Sequence, residues 1–194
     1  MLDTHARKYV QPVIQGTARG CIRLGFNANQ ITWAAFITGV AAGGLTATAN
    51  PVMGVILLWI SGYLDAVDGS MAREQGRSSA WGTLLDVTFD RIVELGIIIA
   101  LAVRYPHARL LLLLLTAGMV FSMTVFLTVG ALADKKGMKS FYYQAGLAER
   151  TEGFIFLSLM MVLPHWLLWS AGVFMAMEVM TGFQRMAEAR RLFA

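Results

Sequence analysis

Apolar residues run along this chain in blocks long enough for membrane helices, and most charged residues sit at the joints between blocks. Residues 30–49 form the first block, ended at Asn50-Pro51, where the proline and the residue before it disfavour further helix. Residues 51–64 stay apolar and lead directly into an acidic stretch that opens at Asp65. That block alone falls short of the roughly 20 residues a spanning helix needs. It therefore predicts a helix that carries Asp65 and Asp68 on its last turns, close to one membrane face. Further blocks cover 82–103, 108–133 (leucine throughout from Leu111 to Leu115), 150–163 and 166–186, the last two parted by Pro164-His165. The pattern predicts an all-α polytopic membrane protein with six transmembrane helices between residues 30 and 186. Ahead of them, residues 5–24 place Val10, Val13, Ile14, Thr17, Cys21 and Leu24 apart from Arg7, Lys8, Arg19 and Arg23 on a helical wheel. This predicts an amphipathic helix lying in the membrane interface with its basic face toward anionic headgroups. Pro12 is compatible with a kink or a later start.

Composition supports the same reading. Hydrophobic residues make up 57% of the chain and charged residues 14%, against about 25% charged in a soluble domain. The length of 194 residues suits a single domain, 1–194. The net charge of +4 is spread over the interhelical segments, with no basic patch of the kind that binds nucleic acid. Cys21 stands alone, so no intrachain disulfide forms. The N-terminus lacks a short apolar core followed by a small-residue cleavage site, which argues against a cleaved signal peptide. With six spans, one side collects Arg7, Lys8, Arg19, Arg23, Arg73, Arg77, Lys135, Lys136, Lys139, Arg150, Arg185, Arg190 and Arg191, and the other only Arg104 and Arg109. The positive-inside rule makes the first side cytoplasmic, and in a bacterium the membrane is the inner one. The acidic stretch then faces the cytoplasm. Gly39, Gly43, Gly44 and the methionines read as helix packing, and His107 and His165 as residues of far-side turns.

The stretch from 65 to 90 carries the chemistry. Asp65 and Asp68 are three apart and Asp86 and Asp90 four apart, so each pair shares one helix face. A charge in a spanning helix costs roughly 2.5–3.5 kcal/mol, so four gathered carboxylates call for a cation. Their hard oxygens suit Mg²⁺ or Mn²⁺, and paired helix ends could hold two ions about 3.5–4 Å apart. Gly69 and Gly82 permit close approach of backbone or ligand. Arg73 is a permanently charged planar donor for phosphate oxygens, whereas Arg77 reads as a topology-setting arginine. The residues alone point to metal-assisted chemistry on a phosphate ester at the cytoplasmic face.

The spacing Asp65-x2-Asp68-Gly69-x2-Ala72-Arg73-x8-Gly82-x3-Asp86-x3-Asp90 resembles, at every fixed position, the signature of the CDP-alcohol phosphotransferases. By residue frequency, such a match arises by chance on the order of 10⁻¹⁰ per start position. The six spans agree with that family's six-helix architecture. Asn27 to Thr32 is similar to the family's Pro-Asn-x-x-Thr lead-in to its first helix, with Ala28 in place of the proline. The resemblance implies a transferase of phospholipid synthesis that uses a CDP-linked lipid, usually CDP-diacylglycerol, and a small polar alcohol. The alcohol attacks the lipid-side phosphorus and CMP leaves. By the same resemblance Asp65, Asp68 and Asp86 ligate metal, and Asp90 is general base and metal contact. Gly69, Ala72, Arg73 and Gly82 line the nucleotide and diphosphate site, with Asn29 and Thr32 near the nucleotide. A homodimer is also implied.

The acceptor is less legible. Between the fourth and fifth spans, Lys135, Lys136 and Lys139 and then Glu149, Arg150 and Glu152 could bind a phosphate or hydroxyls, and the basic residues favour a phosphorylated polyol. Glu94, on the face of Asp86 and Asp90, is a further acceptor-side candidate, and Glu178 should face the bundle interior. A divalent-cation transporter would also gather acids, but near the midplane and without the Gly69, Arg73 and Gly82 framework. A family member without catalysis is opposed by the intact signature.

Overall fold

The computed structural model describes residues 2–48, 50–76, 79–133 and 146–193, with side chains from residue 10 onward. Their regular structure is all helical, in the order α1 (Leu2–Arg23), α2 (Ala28–Ala47), α3 (Pro51–Glu74), α4 (Ala80–Arg104), α5 (Arg109–Leu132), α6 (Arg150–Val162) and α7 (Leu167–Phe193). The boundaries follow local chemistry. Asn27 and Gln30 close a reciprocal capping box at the start of α2, each side chain accepting the other's backbone N–H at 2.9 Å. Asn50 caps α3, whose first residue is Pro51, where the missing N–H costs nothing. Gly25 at φ 86° and Gly76 at φ 60° end α1 and α3 in a backbone region that favours glycine. Short 3₁₀ turns at Pro106–Ala108 and Pro164–Trp166 lead into α5 and α7. Pro12 neither delays nor ends α1, which begins at Leu2.

The chain divides into two compact units, residues 4–104 and residues 105–194 with the first three residues. In the first, α2 packs on both α3 and α4. A methyl at Gly39 would collide with Val93 and Ser61, and one at Gly43 would lie 3.4 Å from the Gly96 backbone. These two glycines, one turn apart, let α2 and α4 approach closely. Gly44, by contrast, faces open space and packs nothing. Phe36 of α2 stacks on Phe89 of α4 at 4.1 Å, and Ser61 donates to the Ala35 carbonyl at 2.7 Å.

Helix α1 departs from a purely lipid-facing amphipath. Ile14 and Ala18 are buried in a cluster with Ile31, Val67 and Met71. The Thr17 and Tyr63 hydroxyls share a hydrogen bond of 2.6 Å, and Arg19 pairs with Glu74 at 3.1 Å. Val10, Val13 and Leu24 stay exposed. The apolar face is thus divided, one strip braced on α3 and the neighbouring strip left for lipid.

In the second unit α7 packs on α5 and α6. Gly182 lies against the Phe121 ring, and Gly153 admits Phe174, which stacks on Phe156 at 5.4 Å. Pro51–Glu74, Pro106–Leu132 and Pro164–Phe193 are long and apolar enough to cross a membrane, and most of their apolar windows are unburied. Leu110, Leu113 and Leu114 lie bare on α5, as lipid-facing residues do. The fifth expected span is a helix of only 13 residues, α6.

Candidate active site

The acidic stretch folds into two distinct features. Asp65 comes from α3, and Asp86 and Asp90 project one turn apart from α4. Carboxylate oxygens of these three residues lie within 4.8 Å of one another. At that separation, full charges in surroundings of intermediate polarity repel by about 3–4 kcal/mol per pair. A divalent cation offsets that repulsion. Converging oxygen donors without thiolate or imidazole fit Mg²⁺ or Mn²⁺.

Asp68 is buried beside this trio and lines a cavity of about 180 Å³. Helix α2 contributes Ala28, Asn29 and Thr32; α3 contributes Asp68, Gly69, Ala72 and Arg73; and the start of α4 contributes Ser79, Gly82, Thr83 and Asp86. All six residues expected around the nucleotide and diphosphate are brought together here. Asp86 belongs both to the cavity and to the carboxylate trio, so the two features are contiguous.

Local rules explain the arrangement. The capping box fixes where α2 begins, which turns Asn29 and Thr32, three residues apart, to the same side. On α3, Asp68, Gly69, Ala72 and Arg73 recur at three- and four-residue intervals. The Arg73 guanidinium lies along its own helix, with Nη1 3.3 Å from where a Gly69 Cβ would stand. Glycine at that position makes room for the arginine. On α4, a Gly82 Cβ would stand 3.2 Å from Ser79 Oγ and 3.9 Å from Asn29 Oδ1. Ser79 and Thr83 are polar lining residues outside the spacing signature. A serine three residues before Gly82 at a helix start is the signal that could have found the first.

The acceptor candidates are placed differently. Glu94 is 3% exposed and its Oε2 lies 2.6 Å from Arg91 Nη2, on the same helix. Arg91 was not among the expected residues. Glu149 stands at the N-cap of α6, Arg150 lies over the Phe154 ring at 5.5 Å, and Glu152 is buried. Glu178 is buried in α7, as expected. Arg185, which sequence treats as a topology marker, is instead 8% exposed. It donates to Ser122 Oγ at 3.3 Å and lies 4.8 Å from the Phe126 ring centroid. Lys135, Lys136, Lys139 and Arg77 lie outside the described residues.

Comparison with known proteins settles the family. The model of the CDP-alcohol phosphatidyltransferases matches residues 26–184. This chain belongs to the CDP-alcohol phosphatidyltransferase family. The inner membrane protein YnjF of Escherichia coli K12 is 31% identical over 195 residues, covering 95% of this chain and 93% of that protein. An archaetidylinositol phosphate synthase of Methanothermobacter thermautotrophicus is 32% identical over 151 residues, 77% of this chain and 69% of that one. The fold matches Mycobacterium tuberculosis phosphatidylinositol phosphate synthase, solved with CDP-DAG bound, at a TM-score of 0.77 and 22% identity, covering 92% of this chain and 94% of the other. The same synthase, solved with manganese and citrate, matches at a TM-score of 0.71 and 24% identity, over 91% and 88% of the two chains. As a CDP-alcohol phosphatidyltransferase the protein is an integral membrane enzyme of phospholipid synthesis, which leaves the cation-transporter reading without support.

Proposed function

We propose that the protein transfers a phosphatidyl group from CDP-diacylglycerol to the hydroxyl of a phosphorylated polyol and releases CMP, at the cytoplasmic face of a bacterial inner membrane. The observation that carries this reading is the cavity that gathers Asn29, Thr32, Gly69, Ala72, Arg73 and Gly82 and shares Asp86 with the carboxylate trio. In this reading the cavity holds the CDP portion of the donor. Arg73, for which Gly69 makes room, binds diphosphate oxygens. Asp65, Asp68, Asp86 and Asp90 would hold two divalent ions, magnesium or manganese, which neutralise diphosphate charge and polarise the phosphorus–oxygen bonds when bound. Asp90 takes the acceptor hydroxyl proton. The freed oxygen bonds to the lipid-side phosphorus as the bond to CMP breaks, and CMP carries away the electron pair. Holding both reactants in line supplies much of the rate.

Two observations favour a phosphorylated polyol. One relative that spans most of this chain is named an archaetidylinositol phosphate synthase. The second unit also carries Arg185, buried in α7, and Arg150, at the start of α6, permanently charged planar donors suited to a phosphate. We assign Arg150 and Arg185, with Lys135 and Lys139, to the acceptor phosphate, and Glu149 and Glu152 to its hydroxyls. Glu94, paired with Arg91, is assigned a supporting role beside Asp90. The test is CMP release by protein in lipid nanodiscs supplied with CDP-diacylglycerol, Mn²⁺ or Mg²⁺, and a panel of inositol phosphate, glycerol phosphate, inositol and serine. Metal-dependent CMP release with a phosphorylated polyol is expected. Release only with inositol or serine would overturn the acceptor assignment, and none with any acceptor would overturn the transfer reaction.

A further inference from the structure

We propose that Thr83 and Ser79 are further donor-binding residues at the nucleoside end of the CDP group, Thr83 as a hydrogen-bond acceptor and Ser79 as a hydrogen-bond donor. The proposal rests on the donor reading above and adds two residues that stand outside the spacing signature. Both line the cavity with Asn29 and Arg73. Ser79 organises the first turn of α4: its Oγ accepts the Gly82 N–H at 3.0 Å, and its carbonyl accepts the Thr83 N–H at 3.0 Å. The same carbonyl accepts the Thr83 hydroxyl proton at 3.2 Å. With that proton committed to Ser79, the Thr83 oxygen presents lone pairs to the cavity and acts there as an acceptor. An acceptor repels diphosphate oxygens and suits N–H or O–H groups, which in a CDP-lipid are the cytosine amino group and the ribose hydroxyls. Ser79 Oγ, occupied as an acceptor by Gly82, keeps its own proton to donate. Asn29 Oδ1, 3.9 Å from the Gly82 Cβ position, lies by the same turn. The cavity is thereby polarised, with the Arg73 side for phosphate and the Ser79–Thr83–Asn29 side for the nucleoside.

The experiment uses the full-length protein in nanodiscs and reads the KM for CDP-diacylglycerol, kcat, and inhibition by CMP and by inorganic pyrophosphate. Thr83→Val keeps shape and removes the acceptor. It should raise the KM and the CMP inhibition constant together by about 3- to 10-fold, the effect of one net hydrogen bond. Inhibition by pyrophosphate and kcat should stay near wild type, and Thr83→Ser should retain the wild-type values. Unchanged CMP inhibition in Thr83→Val, or an equal loss for pyrophosphate, overturns the proposal. Ser79→Ala should weaken CMP in the same direction. Ser79→Asp restores a strong helix cap, and hence thermal stability, but brings no donor proton to the nucleoside side. CMP inhibition should therefore remain weak in Ser79→Asp. Full recovery there would make Ser79 a cap and nothing more, which overturns its role. Wild-type protein that binds no CMP overturns the donor reading itself, whereas normal wild-type binding with unaffected variants overturns only this proposal.

Discussion

The two units of this protein use polar groups in opposite ways. In residues 4–104 the charged and small residues of the acidic stretch are gathered on helix faces whose spacing is visible in the chain, and they surround a cavity. In residues 105–194 the buried charged side chains described, Glu152, Glu178 and Arg185, are scattered through sequence. The first arrangement is local, since α3 and α4 each contribute residues at helical intervals. The second depends on which side chains neighbouring helices bring together, as when Ser122 and Phe126 of α5 meet Arg185 of α7. In the function proposed above, phosphate transfer and donor binding fall to residues of the first unit and acceptor recognition to residues of the second.

The largest expected effect breaks the chemistry of the first unit without emptying it. Asp90→Asn should lower transfer about 10²–10⁴-fold while CMP and Mn²⁺ binding persist, measured by single-turnover CMP release and equilibrium binding. Near-normal turnover would remove Asp90 from its role as base. Chelation by EDTA should likewise abolish transfer, with recovery on adding Mn²⁺ or Mg²⁺; activity that survives exhaustive chelation would argue that the carboxylate trio has another purpose. Arg185→Met tests the other side. Loss of a charge-assisted contact should raise the KM for a phosphorylated acceptor about 10- to 100-fold and leave the KM for CDP-diacylglycerol unchanged. Equal losses for donor and acceptor would erase the proposed division.

A smaller effect is expected at Gly69. An added methyl meets the Arg73 guanidinium at 3.3 Å, so Gly69→Ala should displace the arginine and weaken CMP inhibition by roughly 3- to 10-fold. Unaltered inhibition would mean that the arginine has another place to go. The smallest change belongs to Arg19→Ala at the α1–α3 brace. Its ion pair with Glu74 is largely exposed and worth about 0.2–1 kcal/mol, so thermal stability should fall only slightly. A large loss of activity there would show that α1 controls the site-bearing end of α3.

Much of the site was legible because its residues recur at three- and four-residue intervals, and helical geometry converts such intervals directly into shared faces. The helix boundaries were legible for a related reason, since Asn27, Asn50, Pro51 and Pro164 act on their immediate neighbours. Arg185 and Arg91 were not. Charge counting can place an arginine on a membrane side, but burial depends on the helices that pack over it. The α1 brace was also hidden, because an apolar strip looks the same in sequence whether it meets lipid or protein.

By itself, then, the sequence determined the membrane class of the protein, its helices, and the carboxylate and glycine spacing that defines its family. These are consequences of chain-local geometry and of the cost of burying charge. Only tertiary structure decided that Asp86 serves both the trio and the cavity, and that Asp68 lies in the cavity wall. Only it divided α1 between protein and exposed surface, and drew Ser79 and Thr83 to the cavity. Those outcomes depend on the register at which α2, α3 and α4 meet. Gly39 and Gly43 help to set that register by close packing, which no single helix can specify alone.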